Sequence, residues 1–274
     1  MLKDRKIGFL GGGNMADALI RGLLESNLVD PGSLLVSDIR PERLQYLKER
    51  YSLRTFDQNR PLVGSSDILV LAIKPQNMKE VLQEIRGSIR SDQVIISIAA
   101  GIPTTFIAAI LGEKTRVLRV MPNTPALVLE GASALSPSPH TTPEDLEIAR
   151  SIFSSVGKEV AVKEDQMDAV TGLSGSGPAY VFLAMEALRE AGVRLGLQAE
   201  VAHLLVVQTF LGAARMVAET KEDPRTLRER VSSPGGTTLA GLKVLQERDF
   251  AGILREAVEA ATRRSRELAE QQQT

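Results

Sequence analysis

The chain has 274 residues, of which 43% are hydrophobic and 24% are charged, and its formal net charge is −1. This composition predicts a globular protein of one large or two medium domains, excludes a disordered chain, and gives no indication of a nucleic acid or an anionic membrane as partner. The absence of cysteine excludes disulfides and thiolate chemistry, and the two histidines, His140 and His203, lie too far apart in sequence to predict a metal site.

The first part of the chain, up to residue 163, alternates between short apolar runs and segments with helical periodicity. The predicted strands are residues 6–10, 34–37, 68–73, 94–98, 117–121, 132–135 and 159–162. The predicted helices are residues 15–25, 42–50, 78–85 and 105–111, and a further helix start follows at Thr142. Strands that alternate with helices indicate βαβ units around a buried parallel sheet, so residues 1–163 are predicted to form an α/β domain.

Residues 164–274 are predicted to form an all-helical second domain, because the strand patterns stop there. Its long helices are predicted at residues 179–195, 199–219, 237–247 and 250–269. The helix at 199–219 is apolar around nearly its whole circumference, which requires burial on all sides. A domain of this size hardly has so deep a centre. We therefore expect a partner chain to cover this helix, and the alternative is the central helix of a bundle.

The location of the protein is predicted from what the sequence lacks. The first residues lead directly into a strand and show no signal-peptide pattern, and no run of 18 uncharged apolar residues is present. We therefore expect a cytoplasmic protein that neither crosses a membrane nor binds nucleic acid.

A glycine-rich turn follows the first predicted strand and opens the first predicted helix. Gly11, Gly13 and Ala16 match the dinucleotide fingerprint G-x-G-x-x-A. Gly11 allows a tight turn, Gly13 lets a pyrophosphate approach the backbone, and Ala16 lets the helix pack close to the strand. The helix N-terminus presents free N–H groups to the anion. The turn therefore predicts a dinucleotide site, and a glycine-rich turn without a ligand is the alternative.

The end of the second predicted strand is where the adenine ribose is read. An acid there accepts hydrogen bonds from the ribose hydroxyls and favours NAD, whereas an arginine pairs with a 2′-phosphate and favours NADP. Asp38 favours NAD, but Arg40 and the hydroxyl of Ser37 favour NADP. The choice between NADH and NADPH stays open at this point.

Three later strands end in loops that are expected to surround the nicotinamide. These loops are residues 72–75, 97–101 and 121–125. In an open α/β sheet, ligands bind outside the carboxyl ends of the strands, so the loops form the natural wall of the site.

Two segments of the helical part are rich in Gly, Ser and Thr, namely residues 171–180 and 232–238. Both are predicted to lead into helices, where backbone N–H groups and hydroxyls can bind an anion such as a carboxylate. The alternative is a pair of N-caps with flexible linkers. The sequence lacks an acid pair at catalytic spacing, a Ser-His arrangement and a metal cluster, so hydride transfer to an already electrophilic imine is favoured.

The segment 231–238 reads Val-Ser-Ser-Pro-Gly-Gly-Thr-Thr and leads into the predicted helix that ends at residue 247. This block resembles the signature of the pyrroline-5-carboxylate reductase family, and residues 72–75, 94–101, 121–126 and 171–180 are similar to further family blocks. The resemblance implies a Rossmann domain, a helical dimerisation domain, and reduction of 1-pyrroline-5-carboxylate to L-proline by NADPH or NADH without a metal. It also implies a homodimer whose site is completed across the interface, and dimers that assemble into decamers.

The resemblance also implies roles for residues at matching positions. Thr238 would hydrogen-bond the ring nitrogen of the substrate, with Ser176 elsewhere in the site. The residues implied around the substrate carboxylate are Ser233, Gly235, Gly236 and Thr237. The implied cofactor residues are Gly11, Gly12, Gly13, Asn14, Met15, Ser37, Asp38, Arg40, Asn59, Ala72, Lys74, Pro75 and Ala99. Lys221 and Arg230 depart from the Glu and Asn of some relatives and receive no role.

Two other functions fit parts of the pattern. A β-hydroxyacid dehydrogenase of the same two-domain architecture would need a lysine near segment 171–180, but Lys163 lacks the motif that surrounds this lysine. A cofactor sensor or scaffold on a Rossmann base would have no reason to keep segments 171–180 and 232–238 together.

Overall fold

The computed structural model describes residues 2–273. The strands are β1 (Ile7–Leu10), β2 (Leu34–Ser37), β3 (Arg54–Phe56), β4 (Ile68–Leu71), β5 (Val94–Ser97), β6 (Arg116–Met121), β7 (Gly131–Pro137) and β8 (Gly157–Ala161). The first six helices are α1 (Asn14–Glu25), α2 (Pro41–Tyr51), α3 (Asn59–Ser65), α4 (Met78–Ile85), α5 (Thr104–Leu111) and α6 (Pro143–Ser154). The remaining helices are α7 (Met167–Val170), α8 (Gly177–Arg194), α9 (Ala199–Thr220), α10 (Pro224–Arg230), α11 (Thr237–Glu247) and α12 (Phe250–Gln273).

The strands form one eight-stranded sheet in the order β3-β2-β1-β4-β5-β6-β7-β8. All neighbouring strands from β3 at one edge to β6 are parallel to each other, which confirms the predicted α/β fold. The chain order reverses between β1 and β4, so the loops after these two strands diverge and leave a crevice at their carboxyl ends. This crevice is the binding position that the Rossmann arrangement provides.

The far edge of the sheet departs from the predicted parallel arrangement. β7 is antiparallel to β6, and β8 is parallel to β7. Only the short 3-10 turn Thr124–Val128 lies between β6 and β7. A connection this short cannot provide the crossover that a parallel pair requires, so the chain must turn back on itself.

Two elements of the sheet domain escaped prediction. β3 is three residues long and begins with an exposed arginine. α3 contains Pro61 and Gly64, both of which are poor residues for a helix interior. By contrast, the predicted helix start at Thr142 is confirmed as a capping box, in which Thr142 and Asp145 exchange hydrogen bonds.

Apolar side chains on the two faces of the sheet form separate cores. Ile68 and Val70 of β4 pack with α1 and α6 residues in one cluster, whereas Leu69 and Leu71 pack with α4 and α5 residues in the other. β1, β2, β4 and β5 are buried along their whole length. The cores fix these strands, and therefore fix the positions at which the loops of the site emerge.

The described residues form two compact units. The first contains the chain up to Ser176 together with the residues from Glu259 onward, and the second is Gly177–Val258. The second unit is wholly helical, in agreement with the prediction for this part of the chain. In α9 only Ala202 is buried, while Leu204 and Leu205 are 67% and 52% exposed. As predicted, one chain does not by itself bury this helix.

The composition of α9 bears on the expectation that the chain does not cross a membrane, which stays a prediction. Ala199–Thr220 is long and apolar enough to cross a membrane by length and composition alone. Polar residues such as His203 and Gln208 interrupt the apolar run in α9, so the helix contains no uninterrupted stretch of 18 apolar residues. The helix as a whole is nevertheless apolar. A helix of this composition must be covered by something other than water.

Most of the segment 171–180 is helical, so the helix predicted to begin at residue 179 is preceded by further helical turns. After α7 the chain makes a π-helical turn at Thr171–Gly175 and continues into α8. The Ser176 N–H donates to the Thr171 carbonyl at 2.8 Å, and the Ser174 hydroxyl donates to the Val170 carbonyl at 3.2 Å. These groups serve the helix itself. π-turns inside helices are often found at functional sites.

Candidate active site

The glycine-rich turn is held between the ends of three strands. Gly11 has a φ of +96°, a conformation that favours glycine, and a Cβ at this position would lie 2.5 Å from the Ala72 carbonyl oxygen. The Gly11 N–H donates to the Ser37 carbonyl at 2.8 Å, and the Ala72 N–H donates to the Leu10 carbonyl at 2.8 Å. The tight turn expected at Gly11 is therefore present, with Ala72 and Ser37 beside it.

The turn leads directly into α1. Gly13 is the N-cap of α1, and no atom lies within 4 Å of the position that its Cβ would occupy. Ala16 is fully buried against the sheet. Asn14 and Met15 form the first turn of α1, whose N–H groups have no partner within the helix. Open space in front of an exposed backbone at a positive helix end fits the pyrophosphate of a dinucleotide.

Asp38 is paired with Arg40. Its carboxylate accepts one hydrogen bond from the Gly12 N–H at 2.8 Å and three from Arg40, namely from the backbone N–H at 3.0 Å and from two guanidinium N–H groups at 2.9 and 3.0 Å. Burial acts to raise the pKa of Asp38, but the hydrogen bonds from Arg40 and Gly12 outweigh it and hold the pKa below its ordinary value. The acid is therefore charged at neutral pH, and its acceptor positions are occupied.

Ser37 and Asn59, which are distant in sequence, form a hydrogen-bonded pair. The buried hydroxyl of Ser37 donates to the Asn59 side-chain oxygen at 2.7 Å. The Asn59 amide in turn donates to the carboxylate of Glu84 in α4 at 2.7 Å. Glu84 thus orients two of the expected cofactor residues. Sequence reasoning missed it, since nothing distinguishes it from other acids of an amphipathic helix.

Arg43 of α2 is a second residue that sequence reasoning missed. Its guanidinium donates to the Gly12 carbonyl and to the Asp17 carboxylate, the latter at 2.7 Å. The Tyr51 hydroxyl also donates to Asp17, at 2.6 Å. Burial raises the pKa of Tyr51, and the bond to Asp17 acts in the same direction. Arg43 therefore holds the Gly12 carbonyl in position, and the hydrogen bonds that Arg43 and Tyr51 donate to Asp17 hold the Arg43 side chain.

The loops after β4, β5 and β6 emerge along the same edge of the sheet. Lys74 is exposed and extended, and Pro75 begins the 3-10 turn that follows it. Ala99 is buried, and its N–H donates to the Ser97 hydroxyl at 3.4 Å. The Asn123 side chain accepts from the Ala132 N–H at 2.8 Å. The three loops therefore lie at the carboxyl edge of the sheet, where the glycine-rich turn also lies.

The second Gly-rich segment lies in the helical unit, directly before α11. Gly235 has a φ of +72° and no atom within 4 Å of its Cβ position, whereas a Cβ at Gly236 would lie 2.5 Å from the Ser233 hydroxyl oxygen. The Gly236 N–H donates to the Ser233 carbonyl at 3.0 Å. Gly236 is the N-cap of α11, so Thr237 and the half-buried Thr238 are its first two residues. Thr238 is therefore not the capping residue.

Three charged residues near these segments take structural positions. Lys221 ends α9 with a φ of +56°, and its N–H donates to the Val217 carbonyl. Arg230, close before the Gly-rich segment, forms an ion pair with Glu222 at 2.7 Å.

Within residues 2–273, no group of three or more His, Asp or Glu side chains is placed to hold a metal ion. The helix N-terminus at Thr237 is instead the feature suited to an anion.

Two family models match the chain. Residues 164–268 match the model described as pyrroline-5-carboxylate reductase dimerisation, and residues 6–101 match the model described as NADP oxidoreductase, coenzyme F420-dependent. The first match contains α9 and the segment before α11, and the second contains the glycine-rich turn with Asp38 and Arg40.

Relatives are similar over nearly their full length. The pyrroline-5-carboxylate reductase of Methanosarcina acetivorans is 43% identical over 267 residues, covering 97% of this chain and 99% of the relative. The solved structure of a pyrroline-5-carboxylate reductase from Coxiella burnetii has a TM-score of 0.91 at 40% identity, covering 97% of this chain and 98% of that one. The crystal structure of Plasmodium falciparum pyrroline carboxylate reductase with NADP bound has a TM-score of 0.89 at 33% identity, covering 98% and 100%.

Proposed function

Because this chain belongs to the pyrroline-5-carboxylate reductase family, we propose that it reduces the C=N bond of 1-pyrroline-5-carboxylate to give L-proline. It is an NAD(P)H-dependent oxidoreductase that acts on a C=N bond. The observation that carries the proposal is the full-length similarity, joined to a glycine-rich turn with open space at Gly13 and a second Gly-rich segment at the start of α11.

The residues of the α11 start suit a ring that carries both a carboxylate and an imine. The nicotinamide ring supplies the hydride when the cofactor is bound. We assign the substrate carboxylate to the Ser233 hydroxyl and to the backbone of Gly235–Thr237, where the N–H groups opening a helix attract an anion. The Gly236 N–H is engaged by Ser233, so Thr237 is the main backbone donor in this assignment. Ser176, at the end of the π-turn, is a further residue that we assign to the substrate.

Thr238 is the residue we assign to the reacting bond. A protonated imine carries its own activation, so the protein must only hold the ring and accept a hydrogen bond from its nitrogen. The Thr238 hydroxyl oxygen can accept this bond, because the capping position of α11 is already taken by Gly236. A neighbouring acid is not needed for the protonation of such a substrate near neutral pH.

A second copy of the chain completes the molecule as a homodimer, in keeping with the dimerisation model that matches residues 164–268. We propose that this copy, rather than lipid, covers the apolar faces of α9. The polar side chains of α9 support this choice, because transfer of His203, Gln208 and Arg215 into the hydrocarbon of a membrane would cost free energy. Assembly of dimers into decamers and a cytoplasmic location are further proposals, as is the domain boundary between residues 163 and 164.

We propose that NADPH is the preferred cofactor. The Asp38 carboxylate already accepts hydrogen bonds from Gly12 and Arg40, which leaves no position for the ribose hydroxyls of NADH. The side chain of Arg40 is 53% exposed, whereas that of Asp38 is 7% exposed, so the cation is the partner presented to an incoming 2′-phosphate. The remaining cofactor contacts are assigned to Asn14, Met15 and Asn59, with Lys74 and Pro75 at the loop after β4.

A steady-state assay tests the proposed function. The purified protein is given 1-pyrroline-5-carboxylate with NADPH or with NADH, in the presence of a chelator, and proline is quantified. We expect turnover with either cofactor and a higher kcat/KM with NADPH. Activity that disappears in chelator and returns with zinc would contradict the proposal, as would turnover of a β-hydroxyacid with NAD in place of the imine.

A further inference from the structure

Arg119 is a buried arginine in the sheet that has no part in the ligand contacts proposed above. Arg119 of β6 is 5% exposed and stands between Ser97 of β5 and Ser136 of β7 in the strand register. Arginine is seldom buried to this degree unless it is paired. Its guanidinium lies 3.8 Å from the Glu164 carboxylate and 3.8 Å from the Asp168 carboxylate. Burial lowers the pKa of Arg119, and the two acids oppose that shift.

Glu164 fixes the end of the loop that follows β5. Its carboxylate accepts a hydrogen bond from the Thr104 N–H at 2.7 Å and one from the Thr104 hydroxyl at 2.6 Å. Thr104 is the first residue of α5, whose own N-cap is Pro103 and offers no side-chain acceptor. Glu164 therefore caps α5 from a distant part of the chain, and it holds the point at which the loop 98–103 joins that helix.

Asp168 fixes the other side of the same loop. It accepts a hydrogen bond from the Ser265 hydroxyl of α12 at 2.7 Å, and Arg266 lies 4.0 Å away. One turn further along α12, the backbone of Ala269 lies 3.5 Å from the Cβ position of Gly101. Glu164 thus holds the end of the loop at Thr104. Asp168 holds α12, which packs against the same loop at Gly101.

We propose that Arg119, Glu164 and Asp168 are positioning residues that hold the loop 98–103 in the form that receives the nicotinamide end of the cofactor. This inference rests on the proposed function, because it takes Ala99 as a cofactor contact. The two carboxylates repel each other, and Arg119 is the buried cation that lies 3.8 Å from each of them. Without it, the repulsion between the two acids would weaken the hydrogen bonds of Glu164 with Thr104 and of Asp168 with Ser265.

Three variants test the proposal on the full-length protein. Arg119→Met removes the charge at similar volume, Arg119→Lys keeps a cation, and Arg119→Met/Asp168→Asn also removes one of the two acids while keeping an acceptor for Ser265. Arg116→Met is the matched control, since Arg116 lies in the same strand and pairs with the buried Asp145, on a different helix.

Two readouts are measured, and the first needs no cofactor. Hydrogen exchange of the peptide 98–104 in the free protein should become about tenfold faster in Arg119→Met, equal to ~1.4 kcal/mol of lost local stability. The Kd for NADPH should rise about tenfold, with a smaller fall in kcat. In Arg119→Lys and in the double variant, the exchange rate and the Kd for NADPH should return most of the way to the wild-type values. Arg116→Met should change the melting temperature alone.

Unchanged exchange of this peptide, or an unchanged Kd, would overturn the proposal, and so would a double variant that is worse than Arg119→Met. If Arg119→Met does not fold, Thr104→Val takes its place, since it removes one of the two bonds to Glu164. It should then accelerate exchange at residues 98–104 and weaken NADPH several-fold; no effect on either would overturn the proposal. A wild-type protein that lacks turnover contradicts the proposed function instead, because exchange is read without substrate.

Discussion

Removal of the Arg40 side chain is the perturbation that should change cofactor choice most clearly. In Arg40→Ala the 2′-phosphate of NADPH loses its cation, and Asp38 loses two of its four hydrogen bonds while those from the Gly12 and residue 40 N–H groups remain. The acceptor positions that become free are those that ribose hydroxyls use in NADH. The two cofactors should therefore respond in opposite directions.

The size of the effect follows from the exposure of the pair. A charge-assisted hydrogen bond contributes roughly 1.5–3 kcal/mol when it is shielded from water. The Arg40 side chain is 53% exposed, so solvent screens it and the lower end applies. A loss of about 1.5 kcal/mol corresponds to about a tenfold fall in kcat/KM with NADPH. With NADH, kcat/KM should stay level or rise several-fold, because Asp38 is released.

The assay is a pair of steady-state titrations, one with each cofactor, at saturating 1-pyrroline-5-carboxylate. Arg54→Ala serves as control, because Arg54 is an exposed arginine at the start of β3, away from the carboxyl end of β2. In Asp38→Asn, loss of the carboxylate charge removes a repulsion of the 2′-phosphate, so kcat/KM with NADPH should rise relative to that with NADH. Equal losses with both cofactors in Arg40→Ala would refute the assignment of Arg40 to the 2′ position.

Three further predictions concern other parts of the molecule. Thr238→Ala should lower kcat/KM for the imine about 10- to 150-fold with little change in melting temperature or NADPH affinity; early melting with retained kcat/KM would assign Thr238 to stability alone. Leu205→Asp should give inactive monomer or unfolded protein in sedimentation, whereas a fully active monomer would show that α9 is not the interface. Tyr51 has a raised pKa, so its contribution to stability is complete below its ordinary pKa of about 10 and is lost as pH rises above it. Tyr51→Phe should therefore flatten the fall of the melting temperature in that alkaline range, and unchanged curves would contradict the pairing with Asp17.

Local patterns were sufficient for most of the sheet domain. β2 and α4 were predicted with the bounds they have, because an apolar run and a regular helical period each determine one structure. The glycine-rich turn was recognised since its requirements, a positive φ at Gly11 and open space at Gly13, restrict the residue types that fit. These features depend on residues that are close in sequence, so one amino-acid sequence is enough to predict them.

The parts that were not predicted depend on contacts between distant residues or on competing local preferences. The segment 171–180 has a loop composition, yet hydroxyls such as that of Ser174 bond to carbonyls of the preceding turn and let a π-helix form. The direction of β7 depends on the length of its connection to β6, which the apolar pattern of the strand does not contain.

The supporting residues of the site were also beyond sequence reasoning. Arg43 reaches Gly12 from 31 positions away, and Glu164 reaches Thr104 from 60 positions away. No spacing rule connects such pairs, because the sheet and its helices bring them together. Asp38 and Arg40 were both recognised, but their mutual pairing, which decides the preferred cofactor in our proposal, became visible only in the folded chain.

Deuterium transfer tests the proposed reaction most directly. The protein is incubated with 1-pyrroline-5-carboxylate and NADPH that carries deuterium on the transferred position of the nicotinamide, and the product is examined by mass spectrometry and NMR. We predict L-proline with one deuterium at C5, the former imine carbon, in equal amount to the NADPH consumed. Proline without deuterium, or oxidation of NADPH without formation of proline, would contradict hydride transfer to the C=N bond.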